Sequence, residues 1–375
     1  MIAKSAVPVL EKRLARFAGR KGAVLVGHAN TAFYLTLQYL RQLRGPGEVL
    51  VSPIVCPSLV QTIVYAGFQP VFVDVQLPHC TIDPSAAVKA IGPKTRAIAA
   101  IHIFGHSADM TELAGLAKKN DVWLIEDAAQ SFGGKAEGRR HGGWGHASLY
   151  SFAGTKIVSA GGGGTLLSDE EGLLDYARKE AAKLPALKID SDFQLLALSH
   201  RNLTHGVIDA LRVYRDAPAW RAFGSLVDIY RPLVLHSFPD DSHLVDAITL
   251  GLEKIDEEMG ERSRRAAAYR SALARLTPKL SVPDDAADSG AVWRFTAVFD
   301  NEEKAVRTTR ALRESGLHAS NHYWSVAELM YGDRSLPNSD FVSPRLLNLW
   351  VERSVSMANV ERSIEIIVKQ LNGVS

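Results

Sequence analysis

The sequence predicts an α/β protein with a mostly parallel sheet covered on both faces, followed by a smaller α+β domain. Three observations carry that expectation. Residues 1–150 alternate short, continuous apolar runs with helix-spaced segments, the pattern of strands buried on both faces and joined by crossover helices. The last hundred residues instead mix short strands with amphipathic helices. A chain of 375 residues also exceeds what one ordinary core supports, so two domains are expected, 1–240 and 241–375.

In chain order, GAVLVG (22–27) reads as a buried strand and NTAFYLTLQYLRQL (30–43) as a helix. EVLVSP (48–53), a helix near SLVQTIVYAG (58–67), and QPVFVDV (69–75) come next. TRAIAAIHIFG (95–105) and VWLIEDAA (122–129) are further strands separated by a helix. SFAGTKIVSAGGGGTLLSDEE (151–171) reads as strand, loop and a run of four glycines. Residues 180–238 break the alternation with two expected helices, 193–214 and 217–233, and form an atypical helical insertion. One long helix is expected over 243–276. VWRFTAVFD (292–300) is a strand, and 303–316 and 359–371 are helices.

Composition narrows the function classes. The chain is 46% hydrophobic and 22% charged, with a formal net charge of +2. That near-neutral balance gives no electrostatic footprint for nucleic acid. Two cysteines, Cys56 and Cys80, make no disulfide framework and fit a reducing cytoplasm. No secretory signal is expected in MIAKSAVPVLEKRLARF, and no apolar run reaches the ~18 residues of a spanning helix. His102, His106 and His141 lack metal-ligand spacing, so no metal is assigned. No GxxxxGK[ST] occurs, and Gly161–Gly164 reads as a tight turn.

Three stretches can carry chemistry. GHANTA (27–32) lies at a strand-to-helix junction. Its backbone N–H groups suit a phosphate, or it is an ordinary helix start with Asn30 as N-cap. Glu126 and Asp127, in IEDAAQSFGG, end an apolar strand at the edge where ligands sit in such sheets. They are either a solvated strand end or partners for a cation. Lys156, in SFAGTK, is either a surface loop residue or a desolvated amine able to attack a carbonyl carbon. Together they match what pyridoxal phosphate demands: a lysine for the Schiff base, an acid for the pyridinium nitrogen and a phosphate cradle. Asp127 and Lys156 can face one ring, with Ser151 donating its hydroxyl to the phosphate. Lys156, once displaced by an amino donor, can move the proton between carbons.

IEDAAQSFGG, SLYSFAGTK and GGGGTLLSDEE resemble the cofactor signature of the DegT/StrS sugar aminotransferases. The likeness extends through PVFVDV, TIDPSAAVKAI, PKTRAIAAIHIFGHSADM, LGLEKIDEEMGERSRRAAAYRSAL, VWRFTAVF, GLHASNHYW and LNLWVERSVSM, nearly the whole chain. The resemblance implies fold type I, with a mostly parallel seven-stranded sheet and an active site at a homodimer interface. It implies that Lys156 forms the Schiff base, Asp127 pairs with the ring nitrogen and Gln130 lies near the ring hydroxyl. Ser151, Asn30 and Thr31 would take the phosphate. His322 and Tyr323, in the HYW stretch, belong to a loop that approaches substrate. The implied reaction moves nitrogen from glutamate or glutamine to a keto-sugar, expected to be nucleotide-linked, in surface-polysaccharide or secondary-metabolite biosynthesis.

The sequence departs from the family in three places. Cys56-Pro57 stands where an aromatic usually stacks on the cofactor, and either residue packs more weakly on the ring. Phe238-Pro239-Asp240-Asp241-Ser242 replaces an Asn-Tyr-Arg-Met-Ser run whose Asn reaches the neighbouring subunit's phosphate. The 180–238 insertion carries Trp220, Phe223, Leu226, Ile229 and Tyr230, flanked by Arg215, Arg221 and Arg231. It reads as a helical hairpin packed on the body or a partner subunit, with acceptor recognition or membrane contact as the sharper readings. Two rivals stay open. One is a pyridoxal phosphate enzyme of another class, a dehydratase or carbon–carbon bond-forming enzyme on a non-sugar substrate. The other is a non-catalytic regulator of the same fold.

Overall fold

The computed structural model describes residues 3–213, 233–239, 241–283 and 291–372. Seven strands make the main sheet: β1 (Gly22–Val26), β2 (Glu48–Val51), β3 (Gln69–Phe72), β4 (Thr95–Ile101), β5 (Trp123–Asp127), β6 (Ala147–Ser151) and β7 (Gly164–Ser168). Their spatial order is β1-β7-β6-β5-β4-β2-β3. From β3 to β6 every neighbouring pair is parallel. Only β7 runs antiparallel to both its neighbours, β1 and β6. The inner strands are buried on both faces, β6 and β7 at every residue, which is why they read as unbroken apolar runs.

A second sheet of four strands holds β8 (Leu280–Ser281), β9 (Arg294–Phe299), β10 (Ala319–Ser320) and β11 (Leu346–Trp350), in the order β8-β9-β11-β10. Helices Glu302–Glu314 and Met357–Asn372 pack with it, bringing Leu312, Val360 and Ile367 into one cluster with Phe295 and Leu349. We propose the division of the chain at 240 from these two sheets.

The long helix expected over 243–276 is two helices, Ser242–Glu253 and Ile255–Leu273, with Lys254 between them in a non-helical conformation (φ −98°, ψ 10°). The apolar face changes partner beyond the break, within the second helix. Val245, Ile248, Leu252 and Ile255 join the large core, whereas Ala266, Tyr269 and Leu273 join the small one. Gly251 lets the first helix settle on Val158, whose methyl a Cβ would meet at 2.5 Å.

The first insertion helix runs Ser191–Val213. The chain returns at Leu233–Leu235, which pack against Phe193, Leu196 and Ala197. Ser237 then bridges the outer strand β1 at Val26. The second expected insertion helix, with Trp220, Phe223, Leu226, Ile229, Tyr230 and Arg215, Arg221 and Arg231, lies outside the described residues.

Candidate active site

The site lies beyond the carboxyl ends of the parallel strands, where the sheet delivers several chain segments to one place. Strand alternation sends the last two residues of β5 to opposite faces. Glu126 turns into the body, fully buried, and accepts from His102 Nε2 (2.9 Å), Gly142 N–H (2.8 Å) and Trp144 N–H (2.8 Å). Because Ala108 N–H donates to His102 Nδ1, the His102 proton sits on Nε2. His141 stacks on His102 at 3.7 Å, so two histidines that look scattered in sequence are neighbours. Their role is to fix the strand end. Among the described residues no group of three or more metal-binding side chains comes together.

Asp127 turns the other way, toward the sheet edge. Its Oδ1 accepts from Ala129 N–H at 2.8 Å, and the described residues place no ion pair on it. Burial pushes its carboxyl above the usual range, opposed by that N–H and by the charge of Lys156. Lys156 sits in the turn after β6, its N–H closed on the Ala153 carbonyl at 3.0 Å. Burial lowers its ammonium, opposed by Cys56 and Asp127. Its Nζ lies 5.2 Å from the Trp293 ring centroid, and Trp293 Nε1 donates to the neighbouring Thr155 carbonyl at 2.6 Å. Trp293 is a contributor that the sequence reading missed, because only tertiary packing brings residue 293 to residue 156.

The four-glycine run does what a turn needs and more. Gly161 (φ +87°) and Gly163 (φ +94°) occupy left-handed backbone. Gly164 has no room for a side chain, since a Cβ would stand 2.4 Å from Ala29 N. The glycines therefore let the start of β7 press against the start of helix Ala29–Arg44. Gly163 N–H donates to the Gly27 carbonyl, and Phe152 N–H to the Gly163 carbonyl, both at 3.0 Å.

At that helix start the N-cap is His28, not Asn30: its Nδ1 accepts from Asn30 N–H at 3.1 Å. Burial, with Lys156 second, lowers the His28 pKa to about 4, so the ring is neutral. Asn30 is buried. The buried Thr31 hydroxyl donates to the Val234 carbonyl and accepts from His236 N–H at 3.3 Å. Thr31 thus anchors the end of the insertion, a role the sequence did not suggest. Ser151 closes β6, is buried, and its hydroxyl makes no hydrogen bond among the described residues.

Gln130 bridges two segments: Oε1 accepts from Phe104 N–H at 2.7 Å and Nε2 donates to the Tyr323 hydroxyl at 3.0 Å. Phe104 is held at φ +59°, strained for a bulky residue, and its ring meets Tyr323 edge-on at 4.6 Å. Cys56 is exposed and precedes helix Pro57–Tyr65, with Sγ 3.0 Å from Ser58 Oγ. In the replaced run, Phe238 packs near Gly163, and Asp241 caps helix Ser242–Glu253 through His243 N–H at 2.8 Å. Asp240 lies outside the described residues.

A cavity of about 620 Å³ opens beside this group. Cys56, Thr155 and Tyr323 line its inner end, and His200, Arg201 and His205 of the insertion helix line another wall. His322 also lines it, so His322 and Tyr323 stand in the same cavity wall.

The residues present fit pyridoxal phosphate. Among the described residues, a half-buried carboxylate without an ion pair feels the charge of a lysine, and a buried Ser151 hydroxyl without a partner lies near a glycine-lined helix start.

The sequence comparisons agree with this geometry. The model of the DegT/DnrJ/EryC1/StrS aminotransferase family matches residues 4–186 and 247–368. The chain belongs to that family. It is 28% identical over 377 residues to the spore coat polysaccharide biosynthesis protein SpsC of Bacillus subtilis, covering 96% of this chain and 88% of that one. To the GDP-perosamine synthase of Caulobacter vibrioides it is 27% identical, over 76% of this chain and 67% of that one. Among solved structures it matches S. venezuelae DesV, in complex with a ketimine intermediate. That match has a TM-score of 0.77 at 24% identity and covers 99% and 90% of the two chains.

Proposed function

We propose that this aminotransferase binds pyridoxal phosphate and moves an amino group from glutamate or glutamine to a ketone on a nucleotide-linked sugar. The observation that carries the reading is the facing pair Lys156 and Asp127 at the strand ends. When bound, the cofactor supplies an electron sink that labilises the proton at the donor's α carbon. Lys156 would hold the cofactor and, once the donor's amine has displaced it, would be the amine that takes and returns that proton, its pKa lowered by burial. Asp127, without an ion pair among the described residues, would pair with the ring nitrogen. Ser151 donates to the phosphate, with Asn30 at the helix start behind it. Gln130 holds Tyr323 over the site, and Cys56 packs by the ring.

The relatives named for polysaccharide and perosamine synthesis support a sugar acceptor. We place the active form as a cytoplasmic homodimer, in surface-polysaccharide or secondary-metabolite synthesis. Among the described residues no helix is long and apolar enough to cross a membrane.

The test is the absorbance of the purified protein with pyridoxal phosphate, before and after L-glutamate or L-glutamine. A visible band that bleaches, and that Lys156→Ala abolishes while circular dichroism is kept, is expected. A band that no donor bleaches moves the protein to another pyridoxal phosphate reaction. No band at all returns it to a non-catalytic role.

A further inference from the structure

We propose that the insertion helix Ser191–Val213 is the acceptor-selecting wall of the pocket, with Arg201 and His205 binding the phosphate-bearing part of the acceptor against Arg313 and Asn348 opposite. The inference rests on the aminotransferase reading and deepens it.

Four observations converge. First, the wall lies outside the family model: the match stops at 186 and resumes at 247, yet His200, Arg201 and His205 from the gap line the cavity. Second, the helix is fastened where it can act on substrate. Arg212 Nη2 donates to the Asn321 carbonyl at 2.5 Å, and Arg212 lies over the Trp324 ring at 4.9 Å. His205 stacks on His322 at 4.0 Å with ring planes 8° apart.

Third, the charge is one-sided. Among the described residues the lining holds three arginines, 201, 294 and 313, and no carboxylate. Arg294 is offset by Glu352 at 2.7 Å. Arg313 donates to the Ala319 carbonyl (2.9 Å) and to His322 Nδ1 (3.1 Å), both neutral acceptors, and the charge of Asp209 outside the lining offsets it in part. Arg201 has no ion pair among the described residues and is exposed to the cavity mouth. Guanidinium forks match phosphate oxygens in pairs.

Fourth, Asn348 is 1% exposed, lines the same cavity, and neither its amide oxygen nor its amide nitrogen has a partner among the described residues. Buried amides are nearly always paired. A phosphosugar carries both complements, a hydroxyl to donate to the oxygen and phosphate oxygens to accept from the nitrogen.

The experiment uses full-length protein loaded with pyridoxal phosphate. Titration calorimetry measures Kd for inorganic pyrophosphate and for UDP, GDP and TDP, in wild type and in Arg201→Ala, Arg201→Lys, His205→Ala and Asn348→Leu. At least one diphosphate is expected to bind wild type. Arg201→Ala should weaken it about tenfold or more, with partial recovery in Arg201→Lys. Bleaching of the visible band by L-glutamate, followed in the same samples, reports the donor half-reaction separately from diphosphate binding. Unchanged Kd in Arg201→Ala and His205→Ala, or no diphosphate binding by wild type, overturns the proposal. Loss of bleaching in wild type overturns the aminotransferase reading instead, and the Kd comparison remains readable.

Discussion

Arg313 Nη2 donates to His322 Nδ1 at 3.1 Å, and this places the His322 proton on Nε2, 3.3 Å from Asp209 Oδ1 on the insertion helix. A guanidinium has no lone pair to offer, so Nδ1 must accept. The neutral ring thereby links small-domain Arg313 to insertion-helix Asp209.

Burial, then His205 and Arg313, lower the His322 pKa to about 4, against the pull of Asp209. The folded value lies below the ordinary 6.5, so the undocked form binds more protons between the two. Helix docking is therefore at full strength above pH 6.5 and weakens as pH falls toward 4. Imidazole resonances followed by NMR should show His322 titrating near pH 4 and moving upward in Arg313→Met. An ordinary titration in the intact protein excludes the arrangement.

Arg212→Ala removes donations to the Asn321 and Pro344 carbonyls, the stacking on Trp324 and the pairing with Glu302. A charged hydrogen bond contributes about 1.5–3 kcal/mol. The loss should appear as faster proteolytic cleavage within 191–213, with the main thermal transition lowered by a few degrees. Cleavage at the wild-type rate means that other contacts hold the helix.

Gly164→Ala forces a methyl to 2.4 Å from Ala29 N and 2.7 Å from Ala29 Cα, backbone that cannot yield like a side chain. Overpacking of this kind costs about 1–3 kcal/mol. Gly154→Ala, in the same loop with nothing within 4 Å, should be near neutral. Urea midpoints of the two variants make the comparison, and equal midpoints contradict the close approach of β7 to the helix start.

Asp127→Asn keeps the oxygen that accepts from Ala129 N–H and deletes only the charge. Turnover should fall by about 10²-fold or more, the scale of losing a preorganised electrostatic partner, while the thermal midpoint stays or rises because a buried charge is gone. Turnover within twofold of wild type removes Asp127 from the chemistry.

The sequence by itself determined the strands and most of the helices, since period and apolar runs report the local burial that each strand and helix will meet. It also placed Lys156, Asp127, Gln130 and Ser151 at strand ends, because chain order along a parallel sheet delivers them to one edge. The tertiary structure alone decided the rest. Lys254 breaks a continuous helical pattern, and the second helix carries the apolar face from one core to the other. Thr31 serves Val234, Trp293 reaches Lys156, and Asn348 and Arg201 line one cavity. These partners are separated by more than a hundred residues. Their meeting depends on how the sheets and the insertion close on each other, and no local spacing encodes that geometry.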